Sequence, residues 1–246
     1  QEADRLRDLA IAWAHGQAFV GFMLVVLAGA ACALAAWLVR RFAPHATGSG
    51  IPHVELVLRQ EVPPAPFILL PVKFVGGLLA IGSGLALGRE GPSVQMGASI
   101  AHLFAELSRR SWADARVLMA AGAGAGLATA FNAPIAGAIF VLEELVQRFE
   151  HRIAIAALAA SATAIATARA ILGNQPDFLV APIDHAPALG LPLFLVLGLI
   201  AGLLAVAYNR LLLATLAGFE KARAIPAELR AALVGAAVAM VAWFAP

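Results

Sequence analysis

Charge is what this sequence has least of. Only 13% of its 246 residues are Asp, Glu, Lys or Arg, against 61% hydrophobic, and the mean hydropathy is +0.86. A soluble domain carries about twice that share of charge. So little cannot cover a water-facing surface, and a soluble globular fold is excluded. Cysteine is nearly absent too. Cys32 stands alone, which rules out an intrachain disulfide and a thiolate metal cluster; within its apolar run it reads as a small buried hydrophobe. Strand-like alternation is missing, which leaves helix as the regular structure. No lysine-rich run or aromatic-interleaved basic stripe occurs, so a net charge of +2 and a pI of about 9.2 do not mark a nucleic-acid binder. The chain opens without Met on Glu2, Asp4, Arg5, Arg7 and Asp8, an amphipathic charged pattern unlike a signal peptide.

What is present is apolar sequence of membrane-spanning length. Six regions run over residues 19–38, 67–87, 94–107, 117–142, 153–172 and 189–213, and a seventh begins near Leu229 and runs to Ala245. Polar or proline-bearing stretches such as 60–64 and 174–177 separate them. The basic residues cluster between the apolar regions, at Arg40-Arg41, Arg109-Arg110, Arg148 with Arg152, and Lys221 with Arg223, which suits loops at a membrane surface. The expected class is an all-α, multi-pass integral membrane protein. Two of the regions are irregular. The run 94–107 is too short to cross a bilayer at about 1.5 Å per residue, and Asn132-Ala133-Pro134 interrupts 117–142. Short or broken helices at membrane depth belong where protein or a cavity surrounds them, and in transporters they point to the binding site. Glycines four apart (Gly84 with Gly88, Gly198 with Gly202) and the set Gly122, Gly124 and Gly126 suit close helix packing.

Three motifs carry chemistry. Gly48-Ser49-Gly50-Ile51-Pro52 places a proline where a helix would begin, with glycine N–H groups and a serine hydroxyl in front of it. A helix N-terminus has unsatisfied donors and partial positive charge, so it holds anions without a full cation. Gly88-Arg89-Glu90-Gly91-Pro92 repeats the device with a carboxylate at the anion position. An acidic residue within a membrane segment is a functional hypothesis by default. Ionised, Glu90 fills the site an anion would use; protonated, it swings away, so it can act as gate and proton carrier. The third motif, Phe131-Asn132-Ala133-Pro134-Ile135-Ala136-Gly137, precedes Glu143-Glu144. Adjacent helical residues point about 100° apart, so at least one of the two glutamates is expected to face the interior or a water-filled crevice. Taken singly, each motif has a plain reading: a turn before a helix, a loop with a surface ion pair, a solvated helix end. Three proline-started helix N-termini with an embedded carboxylate are not a generic packing pattern.

At these residues the sequence resembles the CLC family of chloride channels and chloride/proton antiporters. The family's GSGIP, GREGP and AAFNAPLAG segments match residues 48–52, 88–92 and 129–137 in order, and Leu70-Pro71-Val72-Lys73-Phe74 is also similar. The resemblance implies tilted, short and broken helices forming one half of an inverted repeat. Residues 1–246 would then be one incomplete transmembrane domain, with its second half expected beyond residue 246. It implies a chloride site at Gly48, Ser49, Gly50, Ile51, Arg89, Glu90 and Gly91. Ser49 would coordinate the anion, Glu90 would gate, and Glu144 would be the internal proton-transfer residue with Glu143 its neighbour on the route. An acid at Glu144 favours antiport over a passive voltage- or pH-gated channel, and Ser49 favours chloride. The implied assembly is a homodimer in a lipid bilayer, in a bacterial plasma membrane, exchanging chloride for protons with no metal or cofactor and no enzymatic step. One departure is His53, where the family is usually acidic. A fluoride exporter is a less favoured relative. The rival of another class, an intramembrane serine protease using Ser49 or Ser93, needs His53 or His102 as its base.

Overall fold

The structure, a computed structural model, describes residues 18–173, 191–221 and 224–244. The charged stretch 2–8 and the polar stretch 174–177 lie outside them. Every regular element among the described residues is helical, as expected. The helices are α1 (Ala18–Phe42), α2 (Ile51–Leu58), α3 (Leu69–Gly82), α4 (Glu90–Leu107), α5 (Trp112–Phe131), α6 (Pro134–Phe140), α7 (His151–Leu172), α8 (Leu191–Lys221) and α9 (Ala227–Phe244). A 3-10 turn, Pro44–Ala46, leads towards α2, and a π-helical turn, Val141–Leu145, continues α6. The chain divides into two compact units, residues 1–177 with 228–246, and residues 178–227. The described helix of the second is α8, 31 residues long.

Local chemistry sets the helix boundaries. Ser111 caps α5, its Oγ accepting from the Asp114 N–H at 3.3 Å, a contribution of about 1 kcal/mol. Proline sits in the first turn of α2 and opens α6. In α4 the helix starts at Glu90, four residues before the apolar run, and makes 18 residues in all. That is about 27 Å of helix, longer than the apolar run alone, and α4 is still not among the helices long and apolar enough to cross a membrane. Pro92 is tolerated in the first turn because the first four N–H groups of a helix have no partner inside it. The region 67–87 instead yields a helix of only 14 residues, stopped at Gly82. At about 21 Å it falls short of a hydrocarbon core of about 30 Å. The predicted break in 117–142 is present. Asn132 takes φ 53°, in the left-handed region, and ends α5 two residues before Pro134 opens α6.

Among the described residues, four helices are long and apolar enough to cross a membrane: Phe19–Phe42, His151–Leu172, Pro192–Lys221 and Ala227–Phe244. In the first unit the core joins α2, α4, α5, α6, the π turn and α7 through Val54, Val57, Val94, Met119, Leu127, Ala138, Val141, Leu145 and Ile153. Helix approach is governed by small residues, since lipid removes the hydrophobic drive for helices to associate. Gly97 of α4 lies against Gly122 of α5, and Gly126 lies against the Ser93 backbone. Gly124 faces Gly137 and Val141. Cys32 is buried, as expected, and shares a hydrogen bond with the Ser83 hydroxyl at 3.1 Å. Gly235 of α9 packs against it, and Arg40 closes the α1–α9 contact on Glu228 at 2.6 Å.

Candidate functional site

The first motif forms the approach to α2. Gly48 and Gly50 take φ 71° and 92°, conformations that a side chain would strain, and Gly50 is the residue at which the helix opens. Ser49 between them is exposed, and its Oγ lies 3.4 Å from the Ile51 N–H. Among the described residues, the Ser49 and Gly50 N–H groups have no protein acceptor. The carbonyls of the same loop are occupied from below. Lys73, on α3 and only 5% exposed, donates from Nζ to Ala46 O at 2.8 Å and Gly48 O at 2.7 Å. The loop thus turns its carbonyls to a buried ammonium and keeps donors in reserve.

The second motif meets the first directly. A Cβ on Gly91 would lie 2.6 Å from Ser49 O, 2.8 Å from Ser49 Cβ and 2.9 Å from Ser49 Cα. The first turn of α4 can therefore rest on Ser49 only because residue 91 has no side chain. This contact brings Gly48, Ser49, Gly50 and Ile51 together with Arg89, Glu90 and Gly91. Glu90 is the first residue of α4, half-buried, with its carboxylate folded back beside Gly88. Two helix N-termini and a carboxylate thus share one locality, an arrangement that attracts an anion when the carboxylate is neutral or displaced.

Glu143 and Glu144 stand apart, on the π turn. Of the two settings expected, the interior or a water-filled crevice, neither glutamate takes the first among the described residues. Both are exposed, and the buried positions of the turn are Val141 and Leu145. The wider π turn presents the two acids side by side, and Glu143 borders an open hollow with Ile139, Leu142, Gln147 and Arg148. The link between the two places is α2, which packs against both α4 and the π turn. At its far end Arg59 Nη2 donates to Glu55 at 2.6 Å and to Gln147 Oε1 at 2.8 Å.

Several supporting residues escaped the sequence reading. Gln95, fully buried on α4, donates to His45 O at 2.7 Å and fills the space opposite Gly50. Arg116 donates to Leu58 O, at the end of α2, at 3.1 Å, and forks onto Glu150 at 3.0 and 2.9 Å. That hydrogen bonding holds the Glu150 carboxyl below the usual carboxylate range. Arg169 holds Asn132 Oδ1 at 3.1 and 3.0 Å, fixing the α5–α6 break. Lys73 alone carried a usable signal, a cation inside an apolar helix. For the protease rival no support is found. Ser93 Oγ donates to Arg89 O at 2.7 Å, and among the described residues no histidine bonds Ser93 or Ser49.

The model of the family described as "Voltage gated chloride channel" matches residues 29–246. This chain belongs to that family. The CLC chain is 40% identical over 190 residues to the H(+)/Cl(-) exchange transporter ClcA of Citrobacter koseri, covering 75% of this chain and 40% of that relative. It is 44% identical over 179 residues to ClcA of Vibrio cholerae, covering 72% of this chain and 38% of that relative. It therefore spans about two fifths of the length of these relatives. Among solved structures, a slow cyanobacterial Cl-/H+ antiporter matches all of this chain and 60% of its own, with a TM-score of 0.86 and 31% identity. A CLC-type fluoride/proton antiporter matches 90% of this chain and 63% of its own, with a TM-score of 0.70 and 27% identity. Family and apolar helices together make the CLC chain an integral membrane protein with the all-α architecture of CLC antiporters.

Proposed function

We propose that this CLC chain supplies the anion site and proton carriers of a chloride/proton exchanger. The observation that carries the reading is the seating of Gly91 on Ser49, which sets Glu90 beside the open donors before α2. In this reading chloride is held by Ser49 and the backbone of Gly48, Gly50, Ile51, Arg89 and Gly91. Glu90 alternates between filling the site as a carboxylate and leaving it as a protonated acid, so that each departure moves a proton and admits an anion. Glu144, with Glu143 beside it, exchanges protons with water at the other end of α2. Transport, with no chemical conversion, is the whole activity; residues 1–246 belong to one transmembrane domain, of a homodimer in a bacterial inner membrane. The bacterial relatives named as H(+)/Cl(-) exchange transporters support exchange over a passive channel.

The test uses the full-length protein in liposomes, with chloride efflux and external pH recorded together. An imposed chloride gradient should drive protons against their own gradient. Chloride movement with no proton movement would overturn the exchange reading and leave a channel.

A further inference from the structure

Helices α4, α5 and α7 of the first unit border an open groove of about 420 Å³, a volume in the range of ligand sites. Phe104 and Leu118 stand at one end and Thr129 at the other, with Gly122 at the α4–α5 contact and Ala160 and Ala164 on α7. The lining is apolar. The Thr129 hydroxyl donates back to its own helix, at 3.1 Å from Ala125 O and 2.9 Å from Gly126 O. From Leu118 to Thr129 the chain advances eleven residues, about 16 Å of helix. Half of a hydrocarbon core of about 30 Å is about 15 Å, so the groove has the depth of a single leaflet. The α4–α5 loop lies beyond its Phe104 end. Arg109 is five residues past Phe104 and Trp112 six before Leu118, which sets the loop about 8 Å above the groove. A headgroup layer is about 5–8 Å thick. Arg109 and Arg110 are exposed at that level, and among the described residues neither side chain has a hydrogen bond or an ion pair. The acids nearby are taken. Asp114 of α5 accepts from Arg152 at 2.8 Å and from Ser111 at 3.0 Å, and Glu106 of α4 lies 3.8 Å from His102 Nδ1. The Arg152 bond also draws the start of α7 to the start of α5, so all three helices of the groove end at this cationic rim. Trp112 is exposed there too, as suits an aromatic at a bilayer interface.

We propose that the groove between α4, α5 and α7 holds an acyl chain of an anionic phospholipid whose phosphate is bound by Arg109 and Arg110, in the leaflet that the α4–α5 loop faces. The match is one of charge and depth together. A phospholipid is apolar below and anionic above, and the protein here is apolar over one leaflet and cationic at headgroup height. A guanidinium presents its donors in a planar fork that fits phosphate oxygens two at a time. A cation near an anionic bilayer surface strengthens association about fivefold, so the arginine pair selects anionic over zwitterionic lipid. An apolar protein segment in the same groove would fill it and leave both arginines unmatched. The site depends on the chain being embedded in a membrane and not on the exchange reading.

Photo-crosslinking of the full-length protein in phosphatidylcholine vesicles tests it. The probes are phosphatidylglycerol and phosphatidylcholine with a diazirine on the acyl chain, and labelled residues are mapped by mass spectrometry. The expected result is labelling of groove residues on α4, α5 and α7, several-fold stronger with the phosphatidylglycerol probe and displaced by unlabelled phosphatidylglycerol. Arg109→Gln combined with Arg110→Gln should weaken that displacement about 25-fold, at about fivefold per arginine, and bring labelling down to the phosphatidylcholine level. Arg41→Gln, which removes a cation at the end of α1, should leave it unchanged. Ala125→Leu, which narrows the groove, should remove the groove labels from both probes. Both arginines are exposed, so their variant keeps the test open even where Ala125→Leu fails to fold. Equal labelling by the two probes, insensitive to the arginine pair, would overturn the phosphate contact. Absence of groove labels, with another part of the full-length protein covering α4, α5 and α7, would overturn the site altogether.

Discussion

Replacing Gly91 by alanine should damage this protein out of proportion to one methyl group. The added Cβ would sit 2.6 Å from Ser49 O, where ordinary contact begins at 3.4 Å. The neighbour must therefore retreat by 3.4 − 2.6, about 0.8 Å, and the atoms in the way are Ser49 backbone and Cβ rather than a flexible side-chain end. Ser49 cannot yield freely, because Lys73 Nζ grips the preceding carbonyls of Ala46 and Gly48. Overpacking of this kind costs about 1–3 kcal/mol. If the strain falls on the site, chloride affinity drops by about 5- to 150-fold, at 1.4 kcal/mol per tenfold. Titration calorimetry of the detergent-solubilised full-length protein with chloride measures it, alongside thermal unfolding. Gly77→Ala on α3 is the control, since its Cβ would meet nothing within 4 Å. There the gain in helix propensity, up to about 1 kcal/mol, should leave stability unchanged or raised. A Gly91→Ala protein with wild-type chloride affinity and unfolding temperature would refute the claim that this contact builds the site.

Five other variants have expected outcomes. Glu90→Gln should abolish proton coupling while chloride still moves, and Glu144→Gln should reduce coupling with anion flux spared, both read in the liposome assay. Lys73→Met strips two loop carbonyls of their charged donor, at about 1.5–3 kcal/mol per bond, and should lower both unfolding temperature and chloride affinity. Ser111→Ala should cost about 1 kcal/mol in denaturant unfolding with chloride affinity unchanged. Glu150 has its carboxyl held below the usual range by Arg116, so the pair's stabilisation is full above the unfolded carboxyl's pKa of about 4.3 and is lost as pH falls through the folded value. Acid unfolding in detergent should therefore begin at higher pH in wild type than the rest of the protein dictates, and Arg116→Gln should flatten the pH dependence between about 5 and 3.

Composition and motif order were enough to read this chain as helical, membrane-embedded and built around helix N-termini. Those properties are local. Apolar length, proline in a first turn and glycine before it act within a few residues, so 117–142 could be broken at Asn132 on paper. Cys32 could likewise be placed in the interior. What needed the tertiary structure were relations between residues far apart in the chain. No spacing rule says that Gly91 rests on Ser49, that Lys73 reaches back to Gly48, or that Gln95 fills the space opposite Gly50. The exposure of Glu143 and Glu144 likewise depended on a π turn, which a 3.6-residue period cannot anticipate. Sequence determines which short segments can end a helix or hold an anion, because those are backbone properties. Which of them share a site is decided by packing, because close approach depends on the absence of a side chain at one glycine and a cation placed under one loop.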